Sequence, residues 1–124
     1  MHLINAVTDG NKITVDAPVS DSNPFPFFPN IDGSPFDPEK AMCTIRRLEL
    51  DLNADEDAGW KETVLFPDHV GGGLTRMDDR YLTRPHRYSF MGLSDPSKPY
   101  DQERAGTMPG RVTNCYAKFD HETG

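Results

Sequence analysis

The sequence predicts an all-β fold of short strands joined by long loops, on three observations. Eleven prolines and ten glycines punctuate the 124 residues, a density that breaks long helices because proline lacks an amide hydrogen and clashes with the preceding turn. β-Branched and aromatic residues gather into discrete runs, some alternating with polar residues as half-buried strands do. Phe, Tyr and Trp make up 10% of the chain, although hydrophobic residues reach only 35%, and that aromatic content separates it from a disordered segment.

Each element can be read in order. His2-Leu3-Ile4-Asn5-Ala6-Val7 and Lys12-Ile13-Thr14-Val15-Asp16 flank Asp9-Gly10-Asn11, the pattern of a β-hairpin around a glycine turn. Ile13 and Val15 alternate with Lys12, Thr14 and Asp16, which predicts one buried and one polar face. From Ala17 to Glu39 come Pro18, Pro24, Pro26, Pro29, Pro35 and Pro38, so a long extended loop is expected in place of a regular ladder. Phe25, Phe27, Phe28 and Phe36 make that loop too apolar for a solvated linker, and it is expected to pack on the body or line a cavity.

A second hairpin is predicted from Cys43 to Leu52, through the acidic turn Asn53 to Gly59, and back along Trp60 to Phe66, with the acidic run Asp51 to Asp57 as its solvated tip. Ile45, Leu48, Leu50 and Leu52 keep no single alternation, so a bulge or a twist is expected near Arg46 and Arg47. These two arginines are expected to pair across strands with Glu or Asp. Pro67 to Arg80 reads as a loop around Gly71-Gly72-Gly73, with Asp78 and Arg80 as a loop-organising pair. A strand follows near His86 to Leu93, then a polar, proline-containing stretch from Ser94 to Gly110. A last strand from Arg111 to Phe119 turns Val112, Cys115 or Tyr116, and Phe119 inward. Asp120-His121-Glu122-Thr123-Gly124 then reads as a turn without a returning strand. The recurring unit of hairpin plus long loop suggests propeller blades.

Twenty acidic against 13 basic residues give a net charge of -7. No basic stripe is available to neutralise phosphates, which excludes nucleic acid as a partner. Cys43 and Cys115 lack CxxC spacing and are expected to be two buried thiols in a reduced, cytoplasmic setting. No apolar run approaches the ~20 residues that span a bilayer, and the first residues lack a signal-peptide profile. Contact with a membrane surface through the aromatic loop stays open.

His2, His69, His86 and His121 match no local metal motif such as HExxH. Spacing alone therefore defines no metal site. His2-Leu3-Ile4-Asn5-Ala6 followed by Asp9-Gly10 nevertheless resembles the pattern of His, two residues, Asn-Ala and an acidic-Gly turn in the carotenoid oxygenase family, the carotenoid and lignostilbene cleavage dioxygenases. The resemblance continues in order. Pro24 to Pro29 with Gly33 to Pro38 is similar to the loop after the ligand strand in lignostilbene dioxygenases, and Arg47 to Leu52 resembles the next blade's outer strand. Arg76-Met77-Asp78-Asp79-Arg80-Tyr81 and Pro85-His86-Arg87-Tyr88 look like the family's Arg-x-Asp-x-Arg-Tyr and Pro-Tyr-Arg-Tyr segments. Phe119 to Gly124 is similar to its Phe-Asp-x-x-Thr-Gly turn.

The resemblance implies that residues 1–124 are part of a seven-bladed β-propeller, one to two blades of it. It implies that His2 is one of four histidines binding ferrous iron, Fe2+, on the propeller axis. Two histidine-bearing blades would precede His2 and another would follow Gly124. The implied reaction is oxidative cleavage of a C=C double bond of a carotenoid, apocarotenoid or stilbene-type substrate by O2, with the remaining blades required and the chain alone inactive. Phe25, Phe27 and Phe28 stand equally as loop packing and as the wall of a cleft for a hydrophobic conjugated substrate. Departures exist: Thr8 and Gly73 stand where relatives often place glutamates that orient ligand imidazoles, and His86 stands at a common tyrosine and is read as structural. A non-catalytic β-scaffold or a binding module that has lost the iron site is the competing reading.

Overall fold

The computed structural model describes residues 2–55, 58–95, 97–105 and 113–124. Seven antiparallel strands carry almost all of the regular structure: β1 (Asn5–Asp9), β2 (Lys12–Ser20), β3 (Cys43–Asp51), β4 (Lys61–Val64), β5 (Gly71–Met77), β6 (Tyr88–Leu93) and β7 (Cys115–Asp120). The helical pieces are a 3-10 turn, Asp79–Tyr81, and the short helix α1, Gln102–Ala105. Pairing runs β1-β2-β3-β4 and then β5-β6-β7. Among the described residues, a single strand pair, Cys43 with Gly71, joins the two ladders. The chain thus forms one four-stranded blade and one three-stranded blade.

The first hairpin lies where the alternation predicts, with Asp9 opposite Lys12 and Gly10 at a φ of 57° in the turn. β2 runs further than expected, through Pro18 to Ser20, opposite Ile45 and Cys43. Proline is tolerated there because the β1 ladder stops at the Asn5–Asp16 pair, so Pro18 faces the side of β2 that β1 no longer covers. Of the bulge or twist expected at Arg46 and Arg47, the bulge is absent. β3 keeps unbroken register with β2 from Cys43 to Asp51, and its mixed pattern arises because both faces are partly covered, Ile45 on one and Leu48 on the other. For the same reason Asp16, expected on a polar face, is buried.

The segment around Gly71-Gly72-Gly73 is strand β5, not a loop. Register shifts between Gly71, opposite Leu93, and Thr75, opposite Met91, so the bulge falls here, with Gly73 at a φ of 80°. Close approach explains Gly71: a Cβ would lie 2.3 Å from the carbonyl oxygen of Gly92. Strand β6 ends at Leu93 as expected but begins at Tyr88, two residues after His86. In β7, Phe119 is buried, Cys115 half-buried and Tyr116 exposed, while Arg111 and Val112 lie outside the described residues.

Between the blades, Ile4, Ile45, Phe66, Met91, Leu93 and Phe119 form the apolar core, with the Phe66 and Phe119 rings 4.6 Å apart. Both cysteines are free thiols, and burial pushes the Cys43 thiol up, as expected of an inert sulfhydryl. The arginines pair as anticipated: Arg46 with Asp21 and Glu62, and Arg47 with both oxygens of Asp16 at 2.8 Å.

This packing sets the cost of two substitutions. Gly71→Ala is expected to destabilise the fold by about 2 kcal/mol, since the added methyl meets backbone instead of a movable side chain. Arg47→Met is expected to cost about 3 kcal/mol, because it leaves the Asp16 carboxylate buried without its cation. Urea unfolding followed by circular dichroism checks both, and a midpoint unchanged from wild type would refute either.

Candidate functional site

His2 lies three residues before β1 and is exposed. Its placement depends on Asn5, whose side chain is fixed from both ends. The amide nitrogen donates to the carbonyls of Arg84 at 2.8 Å and Tyr81 at 3.2 Å. The amide oxygen accepts from the backbone N–H groups of Ala6 and Thr83, each at 3.0 Å. Thr83 adopts a φ of 62°, a strained position for a β-branched residue that persists only where neighbours over-determine it. The backbone N–H of Ile4 adds a bond to the Asp16 carbonyl at 2.9 Å. The strand that presents His2 is therefore pinned at its first residue, about 10 Å along an extended chain from the imidazole.

One histidine does not make a metal site, and the other ligands implied by the resemblance lie outside this chain. The donor itself fits: an exposed imidazole on an anchored strand start is a suitable nitrogen ligand for ferrous iron. Thr8 is exposed on β1. At Gly73 any Cβ would sit 3.1 Å from the Cys43 sulfur, on a backbone that L side chains rarely adopt. Neither position supplies the carboxylate that relatives often carry.

A buried polar cluster occupies the junction of the two blades. Asp16 comes from β2, His86 from just before β6 and His121 from the turn after β7, with side chains 4%, 5% and 2% exposed. Asp16 Oδ2 is 3.9 Å from His86 Nε2 and 3.7 Å from His121 Nδ1. The imidazole centroids are 4.6 Å apart, and the His121 ring meets Phe66 edge-on. His121 Nε2 is paired with the Ser89 hydroxyl at 2.8 Å, and His86 Nδ1 lies 3.2 Å from Asn5 Nδ2. The inward nitrogens, His86 Nε2 and His121 Nδ1, are buried without a hydrogen-bond partner. Burial pushes the His121 imidazole down to about 4, with the neighbouring His86 adding to it, and burial also lowers His86.

The other residues singled out in the sequence divide. Phe25, Phe27 and Phe28 do not pack on the body of this chain as expected, and Phe27 is 83% exposed. Their loop is held from within, by Asn23 donating to the carbonyls of Phe25 and Phe28, and Asn30 to that of Pro35. Phe25 and Phe28 meet edge to face and line an open hollow with Pro24 and Ile31, while Phe27 lies outside it. Asp78 and Arg80 form the expected loop pair, and the guanidinium holds the Asp78 carboxyl down at about 2. Sequence reasoning missed the grouping of Asp16, His86 and His121. Its one local trace was an acid on β2 facing an arginine on the next strand, because only the blade-to-blade topology brings the histidines together.

The chain is 34% identical over 125 residues to lignostilbene-alpha,beta-dioxygenase isozyme III of Sphingomonas paucimobilis, covering 99% of this chain and 24% of that protein. It is 39% identical over 104 residues to isoeugenol monooxygenase of Pseudomonas putida, covering 84% of this chain and 21% of that one. In structure it superimposes on Pseudomonas brassicacearum lignostilbene dioxygenase with a TM-score of 0.79 at 30% identity, over 98% of this chain and 25% of that one. Cobalt-substituted Synechocystis ACO, 19% identical, shares the fold with a TM-score of 0.67. These relatives identify the two blades as a fragment of a β-propeller, and the chain spans about a quarter of their length or less. The model of the retinal pigment epithelial membrane protein family matches residues 1–124, and the chain accordingly belongs to that family, the carotenoid oxygenases.

Proposed function

We propose that the polypeptide carrying this segment is a non-haem iron dioxygenase that cleaves a C=C double bond of a hydrophobic conjugated substrate with O2, giving two carbonyl fragments. The observation that carries the reading is His2, an exposed imidazole on a strand start pinned by Asn5, in a chain similar nearly end to end to a lignostilbene dioxygenase. Bound at that position, Fe2+ would supply the redox-active centre that O2 chemistry requires. What this chain contributes is one neutral nitrogen donor and the scaffold that holds it still; three further histidines come from other blades.

The relatives named for stilbene and isoeugenol substrates favour a stilbene-type or phenylpropenoid substrate over a long carotenoid. Phe25 and Phe28, which line the hollow, suit the wall of such a cleft, with exposed Phe27 beside it, since aromatic rings offer large flat surfaces to a conjugated ligand. The remaining blades are needed for more than ligands. Leu74, Tyr88, Phe90 and Tyr116 stay exposed on the second blade, an apolar surface that a neighbouring blade would cover. No helix among the described residues is long and apolar enough to cross a membrane, and the acidic chain suits a cytoplasmic setting. Thr8 and Gly73 favour a second reading, a propeller that keeps the fold without iron.

Metal analysis of the full-length polypeptide decides between the two. Wild type is expected to hold one iron per chain, and His2→Ala to lower iron content and stilbene cleavage by more than about a hundredfold, beyond the usual effect of losing an outer-shell partner. A full-length protein without iron, or iron indifferent to His2, would leave the scaffold reading. Phe28→Ala, in the hollow that Phe25 and Phe28 line, is expected to raise KM with iron content unchanged, and an unaltered KM would remove the aromatic wall from the substrate path.

A further inference from the structure

The junction between the blades holds more coordinating capacity than its hydrogen bonds use. Two imidazole nitrogens and a carboxylate oxygen, on three side chains at least 95% buried, converge within 4.8 Å of one another. Neither nitrogen has a hydrogen-bond partner, and buried polar atoms left this way call for an occupant. We infer that Asp16, His86 and His121 form a second metal site, for a divalent first-row transition ion of the zinc type, which ties the two blades together.

The donor set selects the ion. Neutral imidazole and carboxylate oxygen suit zinc and its neighbours, whereas calcium and magnesium prefer all-oxygen shells. Metal–ligand bonds of about 2.0 Å place tetrahedral donors about 3.3 Å apart. The carboxylate–imidazole separations of 3.7 and 3.9 Å need to close by about half an ångström, and the two nitrogens, which lie within 4.8 Å of each other, draw together with them.

The surroundings already provide an outer shell. Ser89 accepts the Nε2 proton that a metal-bound His121 carries, at 2.8 Å. Arg47 fixes the Asp16 carboxylate by two hydrogen bonds, with Oδ2 within 4 Å of both histidines. Two features weaken the site without abolishing it. The guanidinium repels any cation nearby, so binding is expected to be far weaker than in closed structural zinc sites. His86 must also carry its proton on Nδ1, facing Asn5 Nδ2 at 3.2 Å. Yielding that contact keeps both Asn5 amide hydrogens paired, with Arg84 and Tyr81, but it turns the His86 Nδ1 hydrogen toward a second donor, which is a further cost of binding.

The burial of all three ligands makes the ion's role structural. It would bridge β2 of one blade to the entry of β6 and the exit of β7 in the other, apart from the exposed His2. The inference stands independently of the iron reading.

The test is zinc titration of the full-length polypeptide, stripped with chelator and reloaded with Fe2+, in wild type, His121→Phe, His86→Gln and His2→Ala. Bound zinc is read by elemental analysis after gel filtration, and Tm alongside. Wild type is expected to retain one zinc per chain with a rise in Tm. His121→Phe, which keeps the ring contact with Phe66, and His86→Gln are expected to weaken zinc binding by about a hundredfold and to lose the Tm rise, with iron retained. His2→Ala is expected to keep its zinc. If His121→Phe does not fold, the zinc content of His86→Gln decides the question. No zinc on wild type, or zinc held equally by the cluster variants, overturns the proposal. Absence of iron from wild type with zinc intact would sink the iron reading and leave this one standing.

Discussion

A carboxylate buried in the middle of β2 sets the terms on which the two blades meet. Asp16 cannot keep its charge away from water without a cation and donors around it, and Arg47, directly opposite on β3, meets that need with two hydrogen bonds. The pair fixes which face of the first blade turns toward the second. Ile45 shares that face with Arg47 and enters the apolar core beside Phe66 and Phe119, while the two histidines close over Asp16 from the other side. Asn5, opposite Asp16 on β1, carries the same junction to the strand that presents His2. Packing, polar satisfaction and the candidate ligand thus hang on one ion pair.

Much of this fold was legible because strand and turn signals are local. The alternation of Lys12 to Asp16 and the glycine turn before it define the first hairpin, and Cys43 to Leu52 defines β3, whatever the rest of the chain does. The failures share a cause in non-local contact. Pro18 looked like the end of a ladder, yet it lies where β1 no longer reaches. Gly71 looked like a loop residue, yet its missing side chain makes room for the Gly92 carbonyl. The mixed pattern of β3 looked like a bulge, yet it reflects two partly covered faces. No residue announces such facts to its sequence neighbours.

The candidate chemistry divides in the same way. His2 was legible only through an ordered family resemblance, since a lone imidazole at a strand start is silent by itself. His86 and His121 had no sequence signal as a pair, because what joins them is the return of β7 alongside β6. Gly73 shows the reverse. Its departure from the family pattern was visible in the sequence, and the reason is spatial: the Cys43 sulfur occupies the space that a side chain would need.

The lone strand pairing between the two ladders among the described residues, Cys43 with Gly71, bears on how this molecule opens. Continuous ladders spread protection from strand to strand, so that a sheet tends to exchange its amides as one cooperative unit. Here that continuity is interrupted at one pair, and side chains carry the coupling instead. Local opening is therefore free to proceed blade by blade, with amides of β5 to β7 exchanging as one group and those of β1 to β4 as another.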